Sequence, residues 1–173
     1  CPPCSEGLQN LCDNGAGLLS GRAISDGGYR VHTADGTDVA TMCVLGTFAP
    51  HVTVHQSSVI KIEKDIPLDK AALLGCGVCT GWGSATEIGG AKEGDIVVVV
   101  GVGGIGVNSV QGAAAAGARA IVAVDPVEFK REKAVEFGAT HTCASMDEAM
   151  GLVGEISWGR MADLVILTMG VVE

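Results

Sequence analysis

"VVVVGVGGIGVNSVQGAAAAGARAIVAVD" (residues 97–125) decides the fold. A run of valines stops at a glycine cluster, an alanine-rich stretch follows, and a second apolar run ends at an aspartate. A continuous apolar run suits a strand buried on both faces of a parallel sheet. Gly101, Gly103 and Gly106 form Gly-x-Gly-x-x-Gly, with Gly104 and Ile105 inside the same turn. The first glycine permits the sharp bend, the second lets the backbone approach a pyrophosphate, and the third lets helix and strand pack closely. The helix start then aims free N–H groups and partial positive charge at the phosphates. Asp125 closes the next strand, at about the twenty-residue separation expected of a ribose-binding acid. Its carboxylate can accept from both adenosine ribose hydroxyls and would repel a 2′-phosphate, which favours NAD over NADP. Lys130 lies within reach of the same ribose. The competing reading is a plain strand–helix–strand unit with a solvated Asp and Lys. Turn, context and acid together favour the dinucleotide site.

Outward from that stretch, strand and helix alternate. Strands are expected at 96–100, 120–124, 140–143 and 164–167, and helices at 104–116, 127–137 and 146–157. Ser145 and Glu148 make a capping box for the last helix. The order predicts an α/β fold, with roughly the first half of a Rossmann doubly wound parallel sheet over residues 91–173. Residues 1–90 read differently. Residues 1–28 are rich in Gly, Cys, Asn and Ser, a lobe in need of an external tie. "YRVHT", "TFAPHVTVH" (47–55) and "VIKIE" (59–63) are short β-rich runs, as in part of an antiparallel barrel. Pro67 is expected to open a short helix closed by Gly75, and a second helical stretch covers 78–90.

The composition narrows the function. A formal charge of −9 repels nucleic acid and anionic lipid. Aromatics at 3% leave little for stacking on bases. No stretch approaches the ~18 apolar residues of a membrane span. The 7 cysteines are odd in number and sit in an α/β pattern, which argues against a disulfide framework and for a cytoplasmic protein. The chain opens at Cys1 without an initiator methionine and stops at "LVILTMGVVE", just past an apolar run. We therefore expect an internal piece of a longer protein.

Cys1, Cys4 and Cys12 stand at C-x2-C-x7-C in the poorly packed lobe. Three closely spaced thiols suit a tetrahedral structural zinc, with a fourth ligand expected upstream. Cys76 lies between two glycines at an expected helix start, where the helix end favours a thiolate. Taken alone it reads more readily as a buried core thiol, the commoner fate of a lone cysteine.

Jointly these features resemble one family, the medium-chain zinc-dependent alcohol dehydrogenases. Their structural zinc lobe reads C-x2-C-x2-C-x7-C, and Cys1, Cys4 and Cys12 match its last three cysteines. "GCGVCTGWGSA" (75–85), "VGVGGIG" (100–106) and "VAVD" (122–125) match the family's other signatures, so the resemblance covers essentially the whole chain. It implies a GroES-like barrel before the Rossmann half. It also implies that Cys76 is a ligand of the catalytic zinc and that Thr80 lies near the nicotinamide. Cys79 is not at a family ligand position, and Cys43 and Cys143 read as core thiols. The family's other catalytic ligands and its proton relay are absent here. None of His32, His51, His55 and His141 has a Gly-His-Glu context, and His51 and His55 read as surface or core residues.

The implied reaction is hydride transfer between an alcohol and NAD, with zinc as Lewis acid. Residues 43–62 look most like the long-chain classes, which include thiol-dependent formaldehyde dehydrogenases and bacterial aryl or alkyl alcohol dehydrogenases. A homodimer or homotetramer with a small alcohol or aldehyde substrate is implied, and residues 1–173 alone are expected to be inactive. Two alternatives remain at this point. One is a zinc-free quinone or enoyl reductase, against which Cys76 and the thiol lobe argue. The other is a non-catalytic NAD-binding module.

Overall fold

A computed structural model describes residues 1–54 and 56–170. His55 and residues 171–173 lie outside the described residues. The chain divides into two compact units, Cys1–Lys61 and Ile62–Glu173.

The second unit is built on a four-stranded parallel sheet of order β5-β4-β3-β6. Its strands are β3 (Ile96–Val100), β4 (Ala120–Val124), β5 (His141–Cys143) and β6 (Leu164–Leu167). Every residue of β3 and β4 is buried. Helices α4 (Gly104–Ala115), α5 (Glu128–Glu136) and α6 (Met146–Ile156) connect the strands. Val97, Val99, Ile121 and Ala123 form one core with Val110 and Ala113 of α4 and Ala134 of α5. Val98, Val100, Val122 and Val124 form the other with Ala149 and Val153 of α6. Alternate strand residues thus face α4 and α5 on one side and α6 on the other, so each strand reads as continuously apolar. The capping box holds: Glu148 N–H donates to Ser145 Oγ at 3.3 Å, and Ala144 N–H donates to Glu148 Oε2 at 2.8 Å. The strand order reverses between β3 and β6, which puts the switch-point crevice at the carboxyl end of β3.

Ahead of the sheet runs one helix where two were expected. It comprises α2 (Leu68–Leu73), a wide turn Leu74–Val78, α3 (Cys79–Gly83) and a second wide turn Ser84–Ile88. Gly75 does not close it, because the backbone stays in the right-handed helical region at Leu74, Cys79, Ser84 and Gly89. Glycines weaken a helix by about 1 kcal/mol each, and close packing on α4 offsets that weakness. A Cβ at Gly81 would overlap the Ile105 carbonyl oxygen and stand 2.6 Å from Asn108 Cβ. A Cβ at Gly112 would stand 2.9 Å from the Trp82 carbonyl oxygen.

The first unit contains α1 (Pro2–Ser5), short tight-helical segments of which Asp13–Ser20 is the longest, and a hairpin of β1 (Val31–His32) with β2 (Asp38–Val39). Residues 47–54 and 59–63 form no strand, so the barrel read from their alternation is not present among the described residues. Alternation stabilises a strand only when one face is buried and a partner completes the ladder. Here Phe48, Val52, Val59 and Ile60 are all exposed. Cys43, read as a core thiol, is exposed and holds a left-handed backbone at φ 54°. Cys143 is buried, as expected.

Candidate functional site: a glycine turn locked to the Cys76 helix

The glycine turn sits at the switch point. Gly101 has φ +84°, a conformation that glycine adopts at little cost, and its N–H donates to Val124 O at 2.7 Å. A Cβ at Gly106 would overlap the Gly101 carbonyl oxygen, so the third glycine lets α4 start against the turn. Gly103 caps α4 with no side-chain acceptor, leaving the first helical N–H groups free of a side-chain partner. A Cβ on Gly103 or Gly104 would meet nothing within 4 Å, so the backbone is bare on that side. Bare, outward N–H groups at the start of a long helix fit a pyrophosphate.

Asp125 is 3% exposed and pins this turn from below. Its Oδ2 accepts from Val102 N–H at 3.1 Å and its Oδ1 from Val127 N–H at 2.9 Å. Each oxygen keeps a further lone pair, which leaves the carboxylate able to accept from ribose hydroxyls. Lys130 Nζ lies 3.5 Å from Oδ2, so the two candidate ribose residues are brought together as an ion pair. Asp125 is buried rather than solvated, while Lys130 is exposed, as in the competing reading.

Three residues of this site escaped sequence reasoning. Thr168 Oγ1 donates to the carbonyl oxygen of Gly101 and lies 3.2 Å from that of Val100. Arg131 Nη1 donates to Asp125 O at 2.7 Å and to Pro126 O at 2.9 Å, bracing the loop beyond β4. Ser109 Oγ, fully buried on α4, donates to Gly81 O at 2.9 Å. Thr168 had one available signal, its place at the end of the strand that flanks the switch point.

Cys76 lies in the first wide turn, in mid-helix rather than at the helix start where its sequence context put it. The helix-end electrostatics expected to favour its thiolate therefore do not apply. Wide turns of this kind recur at functional sites. Cys76 and Thr80 are four residues apart on the helix, hence on one face, and both are exposed. Gly81, seated on α4 and bonded to Ser109, fixes this helix to the one that starts at the glycine turn. Among the described residues Cys76 joins no cluster of His, Cys, Asp and Glu that could hold a metal ion.

In the first unit the sulfurs of Cys1, Cys4 and Cys12 lie within 4.8 Å of one another, with Cys1 and Cys12 at 3.9 Å. A tetrahedral zinc with Zn–S bonds of about 2.3 Å sets its sulfurs about 3.8 Å apart, so the three thiols fit that ion. The hydrogen bond between Cys4 and Cys12 pushes the Cys4 thiol up and holds the Cys12 thiol below its ordinary value. No fourth such ligand joins the cluster among the described residues.

Residues 104–173 match the model of the zinc-binding dehydrogenase family. The chain is 54% identical over 172 residues to the NDMA-dependent alcohol dehydrogenase of Amycolatopsis methanolica, covering 99% of this chain and 46% of that protein. It is 38% identical over 140 residues to S-(hydroxymethyl)glutathione dehydrogenase of Saccharomyces cerevisiae, covering 81% of this chain and 36% of that protein. The alcohol dehydrogenase zinc-binding domain protein from Burkholderia ambifaria superposes with TM-score 0.86 at 29% identity, over 99% of this chain and 46% of that one. The chain thus spans about half the length of the first of these relatives. No helix among the described residues is long and apolar enough to cross a membrane.

Proposed function

The chain belongs with the zinc-type alcohol dehydrogenases, and from that premise we propose that the protein carrying it moves hydride between an alcohol and NAD, giving an aldehyde or ketone and NADH. The observation that carries the reading is the lock between two elements. Gly81 and Ser109 hold the Cys76 helix on α4, and α4 begins at the phosphate turn. A metal ligand and a dinucleotide cradle on one rigid pair of helices is what hydride transfer at a metal site requires.

The roles follow from position. Gly101, Gly103, Gly104, Ile105 and Gly106 present the backbone to the pyrophosphate. Asp125 holds the turn and accepts from the adenosine ribose, which selects NAD, while Lys130 neutralises Asp125 and closes on the same ribose. Thr168 keeps the Gly101 carbonyl turned toward β6, away from the phosphates. Cys76 contributes one thiolate to the catalytic zinc, and Thr80 stands one helical turn on, toward the nicotinamide. Cys1, Cys4 and Cys12 hold the structural zinc. The chemistry supplied by the bound groups is Lewis-acid polarisation of the substrate oxygen and acceptance of hydride by the nicotinamide.

The remaining metal ligands and the proton relay belong to parts of the protein outside these residues, so residues 1–173 alone turn over no alcohol. A GroES-like barrel completed by those parts, a homodimer or homotetramer, and a cytoplasmic location suited to free thiols complete the proposal. The name of the yeast relative makes a hydroxymethyl–thiol adduct the first alternative substrate to assay. Mixing the protein with NAD and a panel of alkyl, aryl and hydroxymethyl-thiol alcohols tests the reading. NADH is expected with at least one alcohol, and far less reduced cofactor with NADP. Intact NAD binding without turnover of any alcohol would instead favour the zinc-free reductase.

A further inference from the structure

Cys79 has no part in the chemistry above. It stands three residues after Cys76, and these are the only two cysteines between Cys43 and Cys143. Both are exposed. We propose that Cys76 and Cys79 are a peroxide-sensitive dithiol that closes to an intrahelical disulfide, a modification that removes the thiolate from position 76. The modification itself stands on the cysteine pair, and its effect on catalysis rests on the zinc reading of Cys76.

Cα atoms three apart on a helix are about 5 Å apart, inside the range of about 4.4–6.8 Å that a disulfide spans. Their Cβ atoms, at about 5–6 Å, must approach to about 3.5–4.5 Å. A regular, well-packed helix resists that tightening. This segment is not regular. Cys79 N–H already donates to Cys76 O, a tight three-residue closure inside a wide turn. Gly75 and Gly77 flank Cys76, and a Cβ on either would meet nothing within 4 Å. At Gly75 and Gly77 the chain carries no side chain to displace, while the half-buried Val78 between the two cysteines keeps the segment seated. Closure gives up the Cys79 thiol's hydrogen bond to Leu74 O, at 3.1 Å.

The oxidant is a hydroperoxide, with hydrogen peroxide the simplest. One thiolate of the pair attacks a peroxide oxygen, the O–O bond breaks, and a sulfenic acid forms with release of hydroxide. The second thiolate attacks that sulfur, the S–O bond breaks, the S–S bond forms, and a second hydroxide leaves. The two thiol protons end in two waters. The pair of sulfurs loses two electrons, and the peroxide gains them.

Trypsin tests this directly, because it cuts after Lys70 and Lys92 and releases residues 71–92, which hold this pair and no other cysteine. The protein is exposed to hydrogen peroxide with and without bound zinc, alkylated, digested and weighed. The expected peptide is two hydrogens lighter, unalkylated, and restored by dithiothreitol. In C79S the same peptide is expected to gain oxygen at Cys76, while the variant keeps its hydride transfer and loses the dithiothreitol-reversible part of its inactivation by peroxide. Independent oxidation or full alkylation of both thiols in the wild type, with no internally linked peptide, overturns the proposal. Zinc is expected to slow closure. Equal rates with and without zinc leave the dithiol standing and remove Cys76 from the zinc site.

Discussion

In β3 and β4 every side chain is buried, while in residues 1–61 Phe48, Ile60, Met42 and Leu19 stand open to solvent. Both regions belong to one chain of ordinary apolar content, so the difference lies in how apolar residues are spaced. In the second unit they come in unbroken runs with helices that cover them. In the first they come singly or in short pairs separated by polar residues, Gly and Pro, and no apolar side chain among its described residues is buried. The sheet is held by burial, worth about 25 cal/mol per Å² of apolar surface. The lobe has three thiols in place of a core, and a zinc ion held by them would supply folding free energy that burial does not.

Zinc removal separates the two regions most sharply. A chelator is expected to abolish amide-exchange protection in residues 1–20 and leave β3 and β4 protected, since structural zinc is worth about 10–16 kcal/mol in small metal-folded modules. Equal loss in both regions would break the distinction. The reciprocal perturbation is Ile121→Ala, at a side chain 1% exposed. It is expected to destabilise the sheet by about 2–5 kcal/mol in denaturant melts, while Phe48→Ala in the same assay changes stability by less than about 0.5 kcal/mol.

Smaller effects sharpen the picture at the turn. Thr168→Val leaves the Gly101 carbonyl without its hydroxyl donor, a loss of about 1–3 kcal/mol. Calorimetry should show weaker binding of NAD and ADP-ribose, unchanged binding of adenosine, and recovery in Thr168→Ser. Uniform weakening of all three ligands would make Thr168 a merely structural residue.

The smallest effect lies in the first unit. The Gly28 N–H, and then the Arg30 guanidinium, hold the Asp26 carboxyl below its ordinary value. A lowered value in the folded state means that its contribution is present above the ordinary carboxylate range and lost as pH falls through the lowered one. Exchange at the Gly28 amide is expected to quicken over that fall, and Asp26→Asn to flatten the change.

The sheet was legible because burial on both faces writes itself into sequence as apolar runs. Strands 96–100, 120–124 and 164–167 stand where expected, and β5 begins one residue late, at His141. The capping box was legible because it is local, whereas the hydrogen bonds that tie Asp125 to Val102 and Val127 were not read from the sequence. The barrel strands were not, because alternation records a possible face without recording what covers it. The helix break at Gly75 was misread because a glycine that stops a helix and one that packs it look alike. What distinguishes them is α4, which supports the helix at Gly81. Thr168 offered only its place at the end of β6, since its partner Gly101 lies 67 residues away in sequence.

Metal analysis of the protein and its Cys76→Ser variant, with NAD affinity measured alongside, tests the central claim that one helix pair joins a zinc ligand to a dinucleotide turn. About two zinc ions per subunit are expected in the wild type. In the variant one is lost along with hydride transfer, while NAD affinity and the lobe's zinc stay unchanged. A variant that retains all its zinc and its activity would contradict the account.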